Sequence, residues 1–243
     1  MRSNGWRIAA ILLALYAVAL TLVNGIWIAK RGGISYIEEQ LGLRQPHQIY
    51  NRHQTGRVRQ FALYPKMAGG IVFAGDSITE GMPWAEYFEG AHNRGIAGDT
   101  SIGLRNRIVS AVAAQPDHIV INIGTNDLAH DRDVDAVRDT IWDIVAMAHR
   151  TAPKARLDIV SILPVSTRFD TSQLQARKKQ AIPTLNAMLA QGAAAHGYRF
   201  LNVYPAMVDA SGDLRRDYTV DGTHLTMLGK DRYARALRQA MGM

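Results

Sequence analysis

The stretch Asp221-Gly222-Thr223-His224 sets a carboxylate three residues before an imidazole. In a loop, such a pair can hold the ring in one tautomer and make it a usable base. A serine hydroxyl is a poor nucleophile until a base takes its proton. Ser77 stands in Gly75-Asp76-Ser77-Ile78, directly after a short apolar run. Two other segments offer hydrogen-bond donors. Asn126, in Gly124-Thr125-Asn126-Asp127, carries an amide able to donate to a developing oxyanion. Gly98, in Asn93-Arg94-Gly95-Ile96-Ala97-Gly98-Asp99, can turn a backbone N–H into a pocket with no side chain in the way. Each also has a plainer reading. Ser77 can be a helix cap, Gly98 a turn glycine, Asn126 and Asp127 caps, and Asp221 with His224 part of a surface loop.

What could bring them together is the pattern of elements between them. Short β-type runs occur at Ile71–Ala74, Asn93–Ile96, Ile119–Ile123, Leu157–Leu163 and Phe200–Val203. The third, IVINI, is apolar enough to be covered on both faces, as in a parallel sheet. Helical spacing fills the gaps at Gly103–Ala114, Val134–Arg150, Ser172–Ala195 and Leu225–Met241, with Pro183 expected to kink or divide the third. Alternation of this kind predicts an α/β fold, a three-layer α/β/α doubly wound, flavodoxin-like parallel sheet of about five strands. Functional groups in such sheets gather at the carboxyl ends of the strands. Ser77, Gly98 and Asn126 each follow a predicted strand and the Asp221/His224 pair just precedes the last predicted helix, which weighs against four unrelated coincidences.

Composition removes several other classes. The formal charge of +7 belongs to the N-terminal arm, because residues 69–243 carry 19 basic and 19 acidic side chains. A nucleic-acid footprint on the main domain is therefore not expected. There is no cysteine, which excludes disulfides and thiolate chemistry. No HExxH, Walker loop, GxGxxG or paired-carboxylate metal motif occurs, so no metal or cofactor is expected. The histidines at 47, 53, 92, 118, 130, 149 and 196 show no partner spacing and read as surface or capping residues. Trp84 is placed either as a wall of an acyl pocket or as packing against the first helix, and packing is the expectation.

Residues 1–31 read as a membrane anchor. Ile8–Ile28 is uncharged, long enough to cross a bilayer, and flanked by Trp6 and Trp27. The rival is a cleaved signal peptide with an indifferent site at Val23-Asn24-Gly25. A short N-terminal tail retained in the cytoplasm gives a single-pass inner-membrane protein with its enzyme domain in the periplasm; cleavage would release it. Residues 32–68 read as a basic connector, lying on anionic lipid or solvated, and residues 69–243 as the catalytic domain.

Taken together, GDSI, the glycine of GIAGD, GTND and DGTH resemble the blocks of the Ser-Gly-Asn-His (GDSL-type) hydrolases. The likeness extends through NRGIAGDTS, SILPVS and DYTVDGTHLTMLGKDRYARAL, over roughly residues 60–240. It is similar to the bacterial branch of sialate O-acetylesterase-like and platelet-activating-factor acetylhydrolase-like esterases. That resemblance implies Ser77 as nucleophile, His224 as general base and Asp221 as its orienter. It implies an oxyanion hole made of the Ser77 and Gly98 N–H groups and the Asn126 amide. The isoleucine of GDSI in place of the family's leucine is an apolar packing change. The implied activity is hydrolysis of short acyl esters, with O-deacetylation of a carbohydrate or exported polysaccharide as the expected use. A membrane lysophospholipase or thioesterase, an acetyl transferase, and a non-catalytic glycan-binding module of a secretion complex are the alternatives.

Overall fold

Val72, Phe73 and Ala74 alternate between two sheet faces, and both faces are buried. The other strands repeat this, which is why each reads as an apolar run. The computed structural model describes residues 13, 16–18, 20–25, 50–63, 68–130 and 132–243. Gln48–Met243 forms one compact unit and Met1–His47 another. In the latter, the described positions are helical and exposed. The remainder of the expected 8–28 span lies outside the described residues. Among the described residues, no helix is long and apolar enough to cross a membrane.

The sheet contains β1 (Ile71–Gly75), β2 (Ala91–Gly95), β3 (His118–Asn122), β4 (Arg156–Val160) and β5 (Arg199–Leu201). The order is β2-β1-β3-β4-β5 and every pairing is parallel. The expected five-stranded doubly wound sheet is therefore the observed one. Gly75 stands opposite Gly95 on one side and Asn122 on the other, so three strands end side by side. Between β1 and β3 the strand order reverses, the usual place for a site in such a sheet.

Helices in the Gln48–Met243 unit are α1 (Arg52–Leu63), α2 (Ser77–Glu80), α3 (Ser101–Val112), α4 (Thr125–Ala129), α5 (Val134–Thr151), α6 (Gln173–His196), α7 (Tyr204–Met207) and α8 (Met227–Met241). Val72, Ile119, Ile121 and Leu157 face α3, α5 and α6 through Leu104, Ile141, Ile144 and Leu185. Phe73, Val120 and Val160 face α8 through Tyr233 and Leu237. Trp84 is buried and stacks on Phe73 at 3.9 Å, so it packs under the first turn and does not wall a pocket.

Three local departures have physical reasons. The run expected as Leu157–Leu163 leaves the sheet after Val160, because the Asn186 side chain takes over both backbone groups of Ile162, at 2.8 and 2.9 Å. Pro183 does not divide α6. Ile182, Leu185 and Leu189 are fully buried around it, and that packing outweighs the one missing N–H. His118 is no surface residue. It is buried and meets Asp158 at 2.6 Å, with Arg199 on the same carboxylate at 2.7 Å. Residues 50–63, within the stretch read as a connector, belong by position to the Gln48–Met243 unit.

Candidate active site

β1 ends at Gly75 because nothing larger fits. A Cβ there would lie 2.1 Å from the Asn122 carbonyl of β3 and 2.3 Å from Thr79 Oγ1. The chain then turns sharply, and Asp76 caps α2 by accepting from the Ile78 N–H at 3.0 Å. Ser77 is thereby presented as the first helical residue. Its Oγ lies 2.9 Å from His224 Nε2. On the far side of the ring, Nδ1 lies 2.6 Å from Asp221 Oδ2.

Local hydrogen bonding explains why a loop can hold this pair. Asp221 Oδ1 accepts from the backbone N–H groups of Thr223 at 2.9 Å and His224 at 2.7 Å. Thr219 Oγ1 accepts from Gly222 N and donates to the His224 carbonyl, both at 2.8 Å. The Gly222 carbonyl receives Ser166 N at 2.8 Å and Gln175 Nε2 at 3.0 Å. Burial pushes the Asp221 carboxyl up, but the His224 ring bond and the two backbone bonds outweigh it and hold it below its ordinary value. Both side chains are about half exposed, so this hydrogen-bonded pair is open to water. Lys178, buried on α6, approaches Thr223 Oγ1 at 3.4 Å. Its burial lowers the lysine pKa, against the pull of the Asp170, Asp76 and Asp221 carboxylates.

Gly98 and Asn126 stand just past the two neighbouring strands, β2 and β3. Gly98 takes φ +75°, a left-handed conformation suited to glycine, in the loop after β2. Asn126 follows Gly124 after β3 and donates its Nδ2 to the Asp99 carbonyl at 2.8 Å. That bond ties the amide to the loop carrying Gly98. Arg107 fixes the base of the arrangement. Its guanidinium reaches Asp99 Oδ2 at 2.7 Å, the Arg94 carbonyl at 2.7 Å and the Gly75 carbonyl at 3.0 Å. Asp127 does not cap its own helix. It accepts from Ser101 N and Oγ, at 2.8 and 2.6 Å, and from Arg132 at 2.6 Å, so it braces the first residue of α3, the helix that Thr100 caps.

Thus Ser77, His224 and Asp221 form one continuous hydrogen-bonded chain, and Asn126 on α4 is tied to the loop after β2 that carries Gly98. Arg107, which reaches the Arg94 and Gly75 carbonyls, and Glu80, which accepts from Ala97 N, had no separate signal in the sequence, because each holds backbone groups brought close by the fold. Two of the acids are unusual. Burial pushes Asp76 up to about 7, and its Oδ2 has no hydrogen-bond partner. Burial also raises Asp99 to about 6, against the pull of Arg107. Ser77, Ile78, Gly81, His224, Leu225 and Lys230 line a cavity of about 190 Å³. Among the described residues, no group of three His, Cys, Asp or Glu side chains is arranged to hold a metal.

The chain has relatives among known proteins. The sequence profile of the GDSL-like lipase/acylhydrolase family matches residues 73–232, and the chain belongs to that family. Among solved structures, a protein assigned as an acylhydrolase from Bacteroides fragilis is 29% identical with TM-score 0.67, covering 80% of this chain and 98% of its own. A GDSL-like lipase from Bacteroides thetaiotaomicron is also 29% identical with TM-score 0.67, covering 78% and 97%. A protein from Streptococcus pneumoniae named for platelet-activating factor shares the fold at 24% identity and TM-score 0.69, covering 92% and 98%. No curated protein matches the chain.

Proposed function

We propose that this acylhydrolase-family protein is a serine esterase acting on short acyl esters, with Ser77 as nucleophile. The observation carrying this reading is the unbroken chain from Ser77 Oγ to His224 at 2.9 Å and on to Asp221 at 2.6 Å. His224 Nε2 takes the Ser77 proton as Oγ attacks the ester carbonyl. The carbonyl oxygen becomes an oxyanion received by the Ser77 and Gly98 N–H groups and the Asn126 amide. Collapse of this intermediate expels the alcohol, which leaves with the proton from His224. Water, deprotonated by the same imidazole, then attacks the acyl-enzyme, and Ser77 regains its proton as the acid departs. Asp221 keeps the Nδ1 proton in place throughout and stabilises the imidazolium.

A small cavity favours a small acyl group. At about 190 Å³ it falls below the 300–1,000 Å³ of drug-sized ligand sites. We take acetyl esters of a carbohydrate or exported polysaccharide as the substrate class, with residues 8–28 anchoring the enzyme in the inner membrane and its domain facing the periplasm. A second reading, a lysophospholipase or thioesterase at the membrane, draws on exposed Met227 and Leu228 just past His224 and on the Lys230 ammonium in the cavity wall. Hydrolysis of aryl acetate and aryl octanoate by the full chain in neutral detergent, with Ser77→Ala as control, tests both. Ser77-dependent turnover that favours acetate supports the deacetylase. A preference for octanoate moves the substrate to lipids, and turnover unaffected by the substitution rejects the mechanism.

A further inference from the structure

The oxyanion loop is held from outside the family-matched region. α1 begins at Arg52, well before residue 73 where the family match starts. Gln54 on α1 is 4% exposed, and its Nε2 donates to the Ala97 carbonyl at 3.1 Å. Its Oε1 accepts from Asn51 N at 2.9 Å, so the two ends of the amide are distinguished by their partners. The other side of Ala97 is held as firmly. Its N–H donates to Glu80 Oε2 at 2.5 Å. Glu80 Oε1 in turn meets His53 at 3.1 Å and Arg57 at 3.2 Å, both on α1. Arg57 also donates to the Gly95 carbonyl at 3.2 Å.

The Ala97 carbonyl and the Gly98 N–H belong to one planar trans peptide and point in opposite directions. A donor fixed on the carbonyl therefore aims the N–H, and it also polarises it. Gly98 is close enough that a Cβ on it would lie 3.1 Å from Gln54 Nε2. We infer that Gln54 is a positioning residue for catalysis, orienting the Gly98 N–H toward the oxyanion by clamping the Ala97–Gly98 peptide against α1, with Glu80 bracing the preceding N–H. This rests on the esterase reading above and extends it. A helix from a segment that looks like a connector in the sequence thereby bears on the rate through the Ala97–Gly98 peptide.

The test uses the full chain in neutral detergent with aryl acetate as substrate and phenylboronic acid as a tetrahedral transition-state mimic. Gln54→Ala removes the donor. Gln54→Met removes it while filling the buried space, which guards against simple misfolding. Arg59→Ala, on an exposed position of the same helix, is the control. Complete loss of an oxyanion donor costs about 10²–10³-fold in kcat. A donor that is present but poorly aimed should cost about tenfold. We expect both Gln54 variants to lower kcat about tenfold with KM within twofold, and boronate affinity to weaken by the same factor. The thermal transition should remain cooperative and the control unchanged. Boronate affinity and kcat within twofold of the parent in both variants overturn the inference. So does a loss of activity that tracks only the unfolded fraction. Absence of any Ser77-dependent turnover in the parent chain would instead overturn the esterase reading beneath it.

Discussion

Asp76 should make the protein lose stability as pH rises, and Asp76→Asn should remove that loss. The carboxyl next to the nucleophile is buried, one oxygen caps α2, and the other has no partner. Its pKa rises from 3.8 to about 7 because burial penalises the ionised form, with Asp99 adding repulsion and His224 partly offsetting it. Between those values the folded chain keeps a proton that the unfolded chain has released. More protons bound in the folded state means that the free energy of unfolding falls with rising pH. Below the ordinary value the contribution is fully present, and it is lost as pH passes about 7. The unfolded carboxyl is already ionised at pH 5, so from pH 5 to pH 8 the loss amounts to about 3 kcal/mol. Asn keeps an oxygen for the Ile78 cap and has no charge to bury. Urea unfolding of parent and variant in neutral detergent at pH 5, 6, 7 and 8 gives the difference directly, with all other titrations cancelling. The variant should gain about 3 kcal/mol relative to the parent across that range. A difference that stays constant with pH would refute the reasoning.

Asn126→Ala should lower kcat by about 10²–10³-fold in aryl acetate hydrolysis with little change in KM, because the amide matters most when the oxyanion forms. Asp221→Asn removes the acceptor that fixes the His224 tautomer; since that carboxylate is half exposed, roughly a 10³-fold fall in kcat is expected, below the 10⁴ of a buried orienter. Arg107→Met strands the buried Asp99 carboxylate and removes the guanidinium bonds to the Gly75 and Arg94 carbonyls, so urea unfolding should show a loss of about 3–5 kcal/mol, partly restored by adding Asp99→Asn. Gly75→Ala forces a methyl against the β3 backbone at 2.1 Å and should abolish soluble expression or activity, while Gly81→Ala, whose nearest contact is 3.2 Å, should be far milder.

Much of the fold was legible because burial on both sheet faces leaves its mark on local sequence. Runs such as IVINI and the spacing of Val137, Ile141, Ile144 and Val145 stand out without any knowledge of tertiary partners. Boundaries were less visible. Leu157–Leu163 is apolar throughout, yet the strand stops at Val160 because of an asparagine on α6. The chain Ser77–His224–Asp221 was readable, since each member sits at a strand end or in a short loop of recognisable composition. Its supports were not. Arg107 and Gln54 hold backbone carbonyls of segments remote in sequence, and no pattern of residue types announces a bond of that kind. His118 was misread for the same reason, its partner Asp158 lying on the neighbouring strand β4.

Labelling with a fluorophosphonate, followed by mapping of the modified peptide, tests the central claim most directly. An activated serine displaces fluoride and retains the phosphonyl group, so the adduct marks the nucleophile. A single stoichiometric adduct on Ser77, strongly slowed in His224→Ala and parallel to the loss of aryl acetate turnover, is the predicted result. An adduct on another residue, or full turnover by a chain wholly modified at Ser77, would contradict it.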